Sequence, residues 1–147
     1  MKVQDVMTPN PACCTPDDSA QRAALLMRNL DVGAIPIVDN EQDRRPVGLV
    51  TDRDLCCGVI AQGLDPTRAR LGDHMTAAPV CCRPDDALET VSQTMQARQI
   101  RRLPVVDERG ACCGIVAMAD LAVKAPREGK AGQTIQEISQ PSSQAAA

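Results

Sequence analysis

The most constraining feature of this 147-residue sequence is that it repeats itself. At an offset of 68 positions the same residue types return, at Met7-Thr8 and Met75-Thr76, at Cys13-Cys14 and Cys81-Cys82, and at Pro36-x-Val38-Asp39 and Pro104-x-Val106-Asp107. After those acidic residues the offset falls to 66, which aligns Gly48 with Gly114. Because a fixed period marks a duplicated structural unit, we expect two similar units in tandem, with one loop two residues shorter in the second.

Each copy has the hydrophobic pattern of strand, helix, strand, strand, helix. Short apolar runs at 12–14 and 80–82 predict brief strands, and apolar residues at helical spacing predict a helix after each. Paired strands are predicted at 34–38 with 47–51 and at 103–106 with 113–117, and short helices at 52–62 and 118–124. The segments 3–7 and 71–75 lead into the two copies. Pro36 and Pro104 predict edge or bulged strands, because proline cannot donate to a β-ladder.

The sequence therefore predicts a mixed α/β fold of the α+β type, built from two tandem β-α-β-β-α repeats. We place repeat 1 at 1–68 and repeat 2 at 69–125, followed by a flexible tail at 126–147 with one helical turn around 134–138. A unit of about 60 residues buries little apolar area, so we expect the two sheets to pack face to face about a pseudo-twofold axis.

Composition narrows the possible functions. The sequence has no Phe, Tyr or Trp, so the core must be aliphatic, and the aromatic stacking used by single-strand nucleic-acid binders is missing. A net charge of −3 also disfavours a nucleic-acid partner. Because no apolar run reaches the roughly 18 residues that span a bilayer and the N-terminus lacks an apolar signal stretch, we expect a cytoplasmic protein without a membrane partner.

The eight cysteines occur as four adjacent pairs: Cys13-Cys14, Cys56-Cys57, Cys81-Cys82 and Cys112-Cys113. Neighbouring residues of a strand face opposite sides, so such pairs are poor disulfide staples, and their spacing is not that of a zinc site. We expect buried or half-buried reduced thiols and no metal site. A thiol-based redox or metal-responsive protein remains the alternative.

Several stretches resemble the tandem cystathionine-beta-synthase (CBS) domain pair, also called the Bateman module. They are Met7-Thr8-Pro9, the segments 31–39 and 46–55, and in the second copy the segments 100–107 and 114–116. The resemblance covers about 3–124. It implies the fold predicted above, a dimer of such pairs, and adenosine-containing ligands in clefts between the repeats.

The family's ligand signature appears here as the segment 48–54, and the resemblance implies a site at Thr51, Asp52 and Asp54. A strand-end Thr and an Asp three residues later point into one cleft at a helix start, where the Asp54 carboxylate can accept ribose hydroxyls and Thr51 can donate to a phosphate. The alternative is that Thr51 and Asp54 only cap the helix.

Adenine would lie between Ile35 and Val50, with its edge contacted by the backbone near Ala34 and Pro36. The second copy keeps Asp120 but has Ala117 in place of the hydroxyl residue, so its site is expected to be weaker or empty. It also carries Arg101 and Arg102, where the family often places phosphate-binding side chains. The alternative for Arg98, Arg101 and Arg102 is a solvated surface.

We therefore expect a stand-alone regulatory module that binds AMP, ADP, ATP or an S-adenosylmethionine-type ligand and signals to an effector protein in trans, as a homodimer. The ligand acts as an effector, and no cofactor is required. No nucleophile or acid–base pair can be assembled from these motifs, so no enzymatic activity is expected. A ligand-free dimerisation module is a further alternative.

Overall fold

The structure, a computed structural model, describes residues 1–124. Its elements are β1 (Thr8–Pro9), α1 (Ala20–Leu30), β2 (Ala34–Val38), β3 (Pro46–Thr51), α2 (Asp52–Leu55), β4 (Thr76–Ala77), α3 (Leu88–Arg98), β5 (Arg102–Val106), β6 (Cys112–Ala117) and α4 (Met118–Lys124). Two 3-10 turns, Val3–Asp5 and Leu71–Asp73, precede β1 and β4, and a π-helical turn, Cys56–Ile60, continues α2. The predicted tail and its helical turn lie outside the described residues.

The strands form two antiparallel three-stranded sheets, with the orders β2-β3-β4 and β1-β6-β5. Each sheet contains a hairpin from one repeat and a two-residue strand from the other. In one sheet Thr8 faces Ile115, and in the other Thr76 faces Leu49. The α+β fold predicted from the repeat is confirmed, and the exchange of short strands links the two copies.

Both strand prolines lie in edge strands, as their chemistry predicts. The carbonyl of Pro36 accepts the backbone N–H of Cys14 at 3.1 Å, and that of Pro104 accepts the N–H of Cys82 at 3.0 Å. Because the nitrogen and carbonyl of a strand residue point to the same side, the missing N–H of each proline falls on the outer edge of its sheet.

The strands predicted at 12–14 and 80–82 were wrong in position. The structure has only single bridges there, Cys14 to Ile37 and Cys82 to Val105, and the first strand of each copy lies earlier, at β1 and β4. The reason is the adjacent edge proline, which offers a carbonyl but no donor and so allows only a short parallel contact.

Two aliphatic clusters make up the core, and each combines residues from both repeats. Leu71, which precedes β4, packs with Ile35, Ile37 and Val50 of the first repeat. Correspondingly, Val3 and Val6, in the segment before β1, are buried among residues of the second repeat. These residues include Leu103, Val105 and Val116. The segments that looked like simple lead-ins are therefore core elements of the opposite repeat.

Two aligned glycines allow the exchanged strands to approach closely. A Cβ on Gly114 would lie 2.6 Å from Met7 Sδ and 3.2 Å from the carbonyl oxygen of Thr8. A Cβ on Gly48 would likewise overlap the sulfur of Met75. Glycine is needed here for space, and the recurrent methionines fill that space.

Within residues 1–124, no helix combines the length and the apolar character needed to cross a membrane.

Candidate functional site

Thr51 and Asp54 form a reciprocal capping box where β3 passes into α2. The Thr51 hydroxyl accepts the backbone N–H of Asp54 at 3.2 Å, and the Asp54 carboxylate accepts the N–H of Thr51 at 2.9 Å. The capping hypothesis therefore describes part of their role. The hydroxyl proton of Thr51 and the second carboxylate oxygen of Asp54 take no part in the box, so both side chains keep hydrogen-bonding capacity.

The second repeat has half of the same box where β6 passes into α4. The Asp120 carboxylate accepts the backbone N–H of Ala117 at 2.9 Å, but Ala117 has no hydroxyl to return the bond. In each repeat the first helical N–H also donates to the carbonyl just before the edge strand, from Asp52 to Gly33 before β2 at 3.0 Å and from Met118 to Arg101 before β5 at 2.8 Å.

Two cavities lie between the repeats within residues 1–124, and the larger of them has a volume of about 520 Å³, within the usual range for small-molecule sites. Its walls come from the segment after β1, the start of β2, and the β6–α4 junction. Its lining residues include Ala12, Gly33, Ala34, Ile35, Arg102, Ile115, Ala117 and Asp120. This cavity therefore takes its helix-start motif from repeat 2 and its other walls mainly from repeat 1.

The smaller cavity, of about 400 Å³, has the opposite composition. It takes its helix-start motif from repeat 1 and its other walls from repeat 2. Its lining residues are Leu49, Thr51, Thr76, Ala78, Pro79, Val80, Arg98, Ile100, Arg101 and Arg102. Three arginine residues therefore line one cavity, and arginine is a residue type suited to binding phosphate.

The structure separates site residues that the sequence analysis grouped together. Ala34 and Ile35 line the larger cavity with Asp120, whereas Thr51 lines the smaller one with Arg101 and Arg102. The grouping differs because the helix-start motif of each repeat lines a cavity together with the start of the other repeat's edge strand, β2 or β5.

Val50 and Pro36 are buried, and Val50 belongs to the hydrophobic core. Because Ile35 and Val50 face each other across the β2–β3 ladder, they do not form opposite walls of one cavity. Asp52 and Asp54 lie at the start of α2, next to Thr51, and are not among the residues that line these two cavities.

Sequence reasoning missed several wall residues, notably Leu49, Thr76, Ile115 and the segment after β1. Leu49 and Ile115 are half-buried and alternate with the fully buried Val50 and Val116. The two-residue period of the strands was therefore an available signal for which side chains face a cleft.

Arg102 lies between the two cavities and lines both. A Cβ on Gly33 would lie 3.1 Å from Arg102 Nη2 and 3.3 Å from Asp52 Oδ2. Gly33 thus leaves room for the guanidinium group and the Asp52 carboxylate to approach the start of β2. Arg101, although exposed, contributes to the smaller cavity, so these arginines are not confined to a solvated surface.

The thiols differ in exposure. Burial raises the pKa of Cys14 to about 11 and that of Cys82 to about 12, so both are neutral at ordinary pH. The expectation that all thiols are at least half-buried was wrong for Cys56 and Cys57, which are exposed on the short helix after β3. Among residues 1–124, no group of three or more His, Cys, Asp or Glu side chains is arranged to hold a metal ion.

Comparison with known proteins finds relatives that align with most of this chain. The chain is 39% identical over 137 residues to the CBS domain-containing protein YhcV of Bacillus subtilis, covering 93% of this chain and 94% of that one. It is 32% identical over 123 residues to Hypoxic response protein 1 of Mycobacterium tuberculosis, covering 84% of each chain.

Solved structures share the fold. Hypoxic Response Protein I with two coordinated zinc ions aligns with a TM-score of 0.75 and 32% identity, covering 86% of this chain and all (100%) of that one. CBSX2 in complex with AMP aligns with a TM-score of 0.69 and 29% identity, covering 82% of this chain and 93% of that one. The CBS domain family itself matches residues 3–58 and 71–125. The internal repeat, the exchanged strands and these matches together show that the chain belongs to the CBS domain family, as a tandem pair of CBS domains.

Proposed function

We propose that this chain is a regulatory module that binds an adenine nucleotide or related adenosyl ligand between its two repeats and signals its occupancy to a partner protein. The observation that carries the proposal is the pair of cavities, each walled by both repeats and each lined by Arg102. The AMP complex of CBSX2, a relative of the same fold, supports the choice of ligand class.

The side chains suit the parts of a nucleotide. Ile115 offers aliphatic surface to a base in the larger cavity, whose lining also includes the almost fully buried Ile35, and Leu49 and Ile100 offer such surface in the smaller one. Backbone groups at the start of β2, near Ala34 and Pro36, can contact the edge of the base.

Asp120 lines the larger cavity and provides carboxylate oxygens for ribose hydroxyls there. Asp54, next to Thr51 at the start of α2, is the matching carboxylate of the first repeat, and Asp52 lies in the same helical turn as Asp54. The Thr51 hydroxyl and the arginines provide donors for phosphate, and the greater number of arginines at the smaller cavity favours a phosphorylated ligand there.

Ligand binding would act through differential affinity. Because each cavity has walls from both repeats, a ligand contacts both and stabilises the arrangement in which those walls fit it. The conformational equilibrium shifts only as far as the ligand binds one arrangement better, and a partner that distinguishes the arrangements senses the ligand.

The decisive experiment is isothermal calorimetry with adenosine, AMP, ADP, ATP and S-adenosylmethionine, with GMP as a control for base selectivity. Asp54→Ala and Asp120→Ala form a matched pair, because each removes one carboxylate-to-backbone cap of 2.9 Å. We expect AMP to bind and Asp54→Ala to weaken it more, since Thr51 completes the polar set only in that repeat. Absence of heat with all five compounds would favour the ligand-free dimerisation module instead.

We further propose that the module is a homodimer through its helices. Leu25 and Leu30 of α1 are 40% and 51% exposed, and such apolar side chains commonly mark an interface. Sedimentation velocity in excess reductant should show a dimer, and Leu25→Lys should dissociate it. A monomer under those conditions would contradict the proposal.

A further inference from the structure

Two cysteines from different repeats meet beside an arginine. Cys13 follows β1 in the first repeat, and Cys112 begins β6 in the second. The two thiols lie close enough to shift each other's pKa, and the Cys112 thiol donates to the Gly114 carbonyl at 3.5 Å. Arg44 Nη2 donates to Cys13 Sγ at 3.4 Å, and the Arg44 carbonyl accepts the backbone N–H of Cys112 at 2.7 Å. One residue therefore holds both cysteines.

The position of Arg44 is fixed by more than its contacts to the cysteines. Its guanidinium group also donates to the carbonyl of Pro11 at 3.3 Å, and its backbone is left-handed, with φ of 52°. A non-glycine residue adopts this conformation only where its surroundings hold it there. The guanidinium group thus has a defined place next to the Cys13 sulfur.

The two thiols have opposite character. The neighbouring Cys112 thiol and then the charge of Arg44 lower the pKa of the Cys13 thiol. The neighbouring Cys13 thiol, together with burial, raises the pKa of Cys112, which is 4% exposed. Cys13, which is only half-buried, is the nucleophile of the pair, because the thiolate is the reactive form.

The opposite side of the pseudo-twofold axis provides an internal comparison. Cys81 occupies the position of Cys13 and donates to the Pro79 carbonyl at 3.5 Å, as Cys13 donates to Pro11 at 3.4 Å. At the offset of 66, however, Gly110 replaces Arg44 and Pro46 replaces Cys112. Burial, and then the nearby Cys112 thiol, raise the pKa of Cys81. Cys112 therefore lies near both Cys13 and Cys81, but Arg44 contacts Cys13, whereas Gly110 stands at the matching position for Cys81.

We propose that Cys13 and Cys112 form a hydroperoxide-reactive pair that closes into a disulfide between the two repeats. In the first step the Cys13 thiolate attacks hydrogen peroxide, an S–O bond forms, the O–O bond breaks, and the hydroxide released takes up a proton to become water. In the second step the Cys112 sulfur attacks the sulfenic sulfur, an S–S bond forms, and the S–O bond breaks.

The proton of Cys112 leaves with the departing hydroxide as a second water. Two thiols are oxidised and one peroxide is reduced to two waters. A dithiol reductant such as dithiothreitol reverses the change.

The test treats the reduced full chain with one equivalent of hydrogen peroxide, alkylates the remaining thiols under denaturing conditions, and maps the peptides by mass spectrometry. We expect a Cys13–Cys112 linkage that is absent in Cys13→Ser and unchanged in the matched control Cys81→Ser. In Cys112→Ser, the sulfenic acid at Cys13 should accumulate and be trapped by dimedone.

Arg44→Gln should slow the reaction of Cys13 with peroxide by about fivefold or more, because the nearby positive charge is lost. Its circular dichroism spectrum serves as the check on folding. A linkage of Cys81 to Cys112, or oxidation of the exposed Cys56 and Cys57 while Cys13 stays reduced, would overturn the proposal.

Discussion

Arg102 should control phosphate affinity at both cavities, whereas Arg101 should control it at one. Arg102 lines the larger and the smaller cavity, and Arg101 lines only the smaller. Arg102→Gln and Arg101→Gln remove one positive charge each and keep a polar side chain of similar length. Arg109→Gln is the matched control, because Arg109 is exposed in the turn before β6 and lines neither cavity.

The magnitude follows from the surroundings of the guanidinium group. A hydrogen bond to a charged group contributes about 1.5–3 kcal/mol. Arg102 is only half-buried, and it lies with the Asp52 carboxylate beside Gly33, so that carboxylate competes with a phosphate. We therefore expect the lower end of that range, which corresponds to roughly tenfold weaker AMP binding per cavity.

Calorimetric titrations with AMP and with adenosine, at low and high salt, provide the assay. Arg102→Gln should weaken AMP at both sites, Arg101→Gln should weaken AMP at one, and adenosine should bind all variants alike. Added salt should reduce the difference between AMP and adenosine in the wild type, because it screens the partly exposed charges. The reasoning is refuted if Arg102→Gln affects a single site, or if adenosine loses as much affinity as AMP.

Three further outcomes test the fold and its thiols. Gly48→Ala should lower the free energy of unfolding in urea by about 1–3 kcal/mol, because the new methyl group overlaps Met75. Ala117→Thr should raise the melting temperature by completing the second capping box, an effect of about 0.5–2 kcal/mol; an unchanged melting temperature would contradict this. Because burial raises the pKa of Cys14 to about 11 and of Cys82 to about 12, from an ordinary 9.0, the unfolded chain releases these thiol protons first. Stability in reductant should therefore be fully present below pH 9 and fall as pH rises towards 11 to 12, by about 1 kcal/mol per thiol and pH unit. Alanine at both positions should reduce that slope without abolishing it, because the pKa values of Cys81, Cys112 and Cys113 are raised as well.

Local features of this fold were predictable because their causes are local. The helices follow from apolar spacing, and the edge position of β2 and β5 follows from Pro36 and Pro104. The change in offset correctly indicated the shorter β5–β6 loop. The exchange of β1 and β4 was not predictable, because a two-residue strand such as Thr8–Pro9 has no measurable period and its partner lies at the other end of the chain.

In the candidate site, too, local features were predictable from the sequence and contacts between distant segments were not. The capping of α2 by Thr51 follows from residues three positions apart, and it was available from the sequence. The pairing of Thr51 with Arg101 in one cavity, and of Ile35 with Asp120 in the other, depends on how the repeats pack. The contact between Cys13, Cys112 and Arg44 also joins distant segments, so the adjacent Cys pairs in the sequence gave no indication of it.

The exchanged strands also determine when this chain can fold. Thr8 pairs with Ile115, and the buried valines before β1 pack against residues of β5 and β6. During synthesis, the N-terminal segment therefore has no partner until β6, which ends at Ala117, has left the ribosome. Contacts of such large sequence separation slow folding, because much chain entropy is lost before they form. The sheet β2-β3-β4 and its core cluster can therefore be completed once β4 has emerged, whereas the N-terminal segment, made first, must wait for β6.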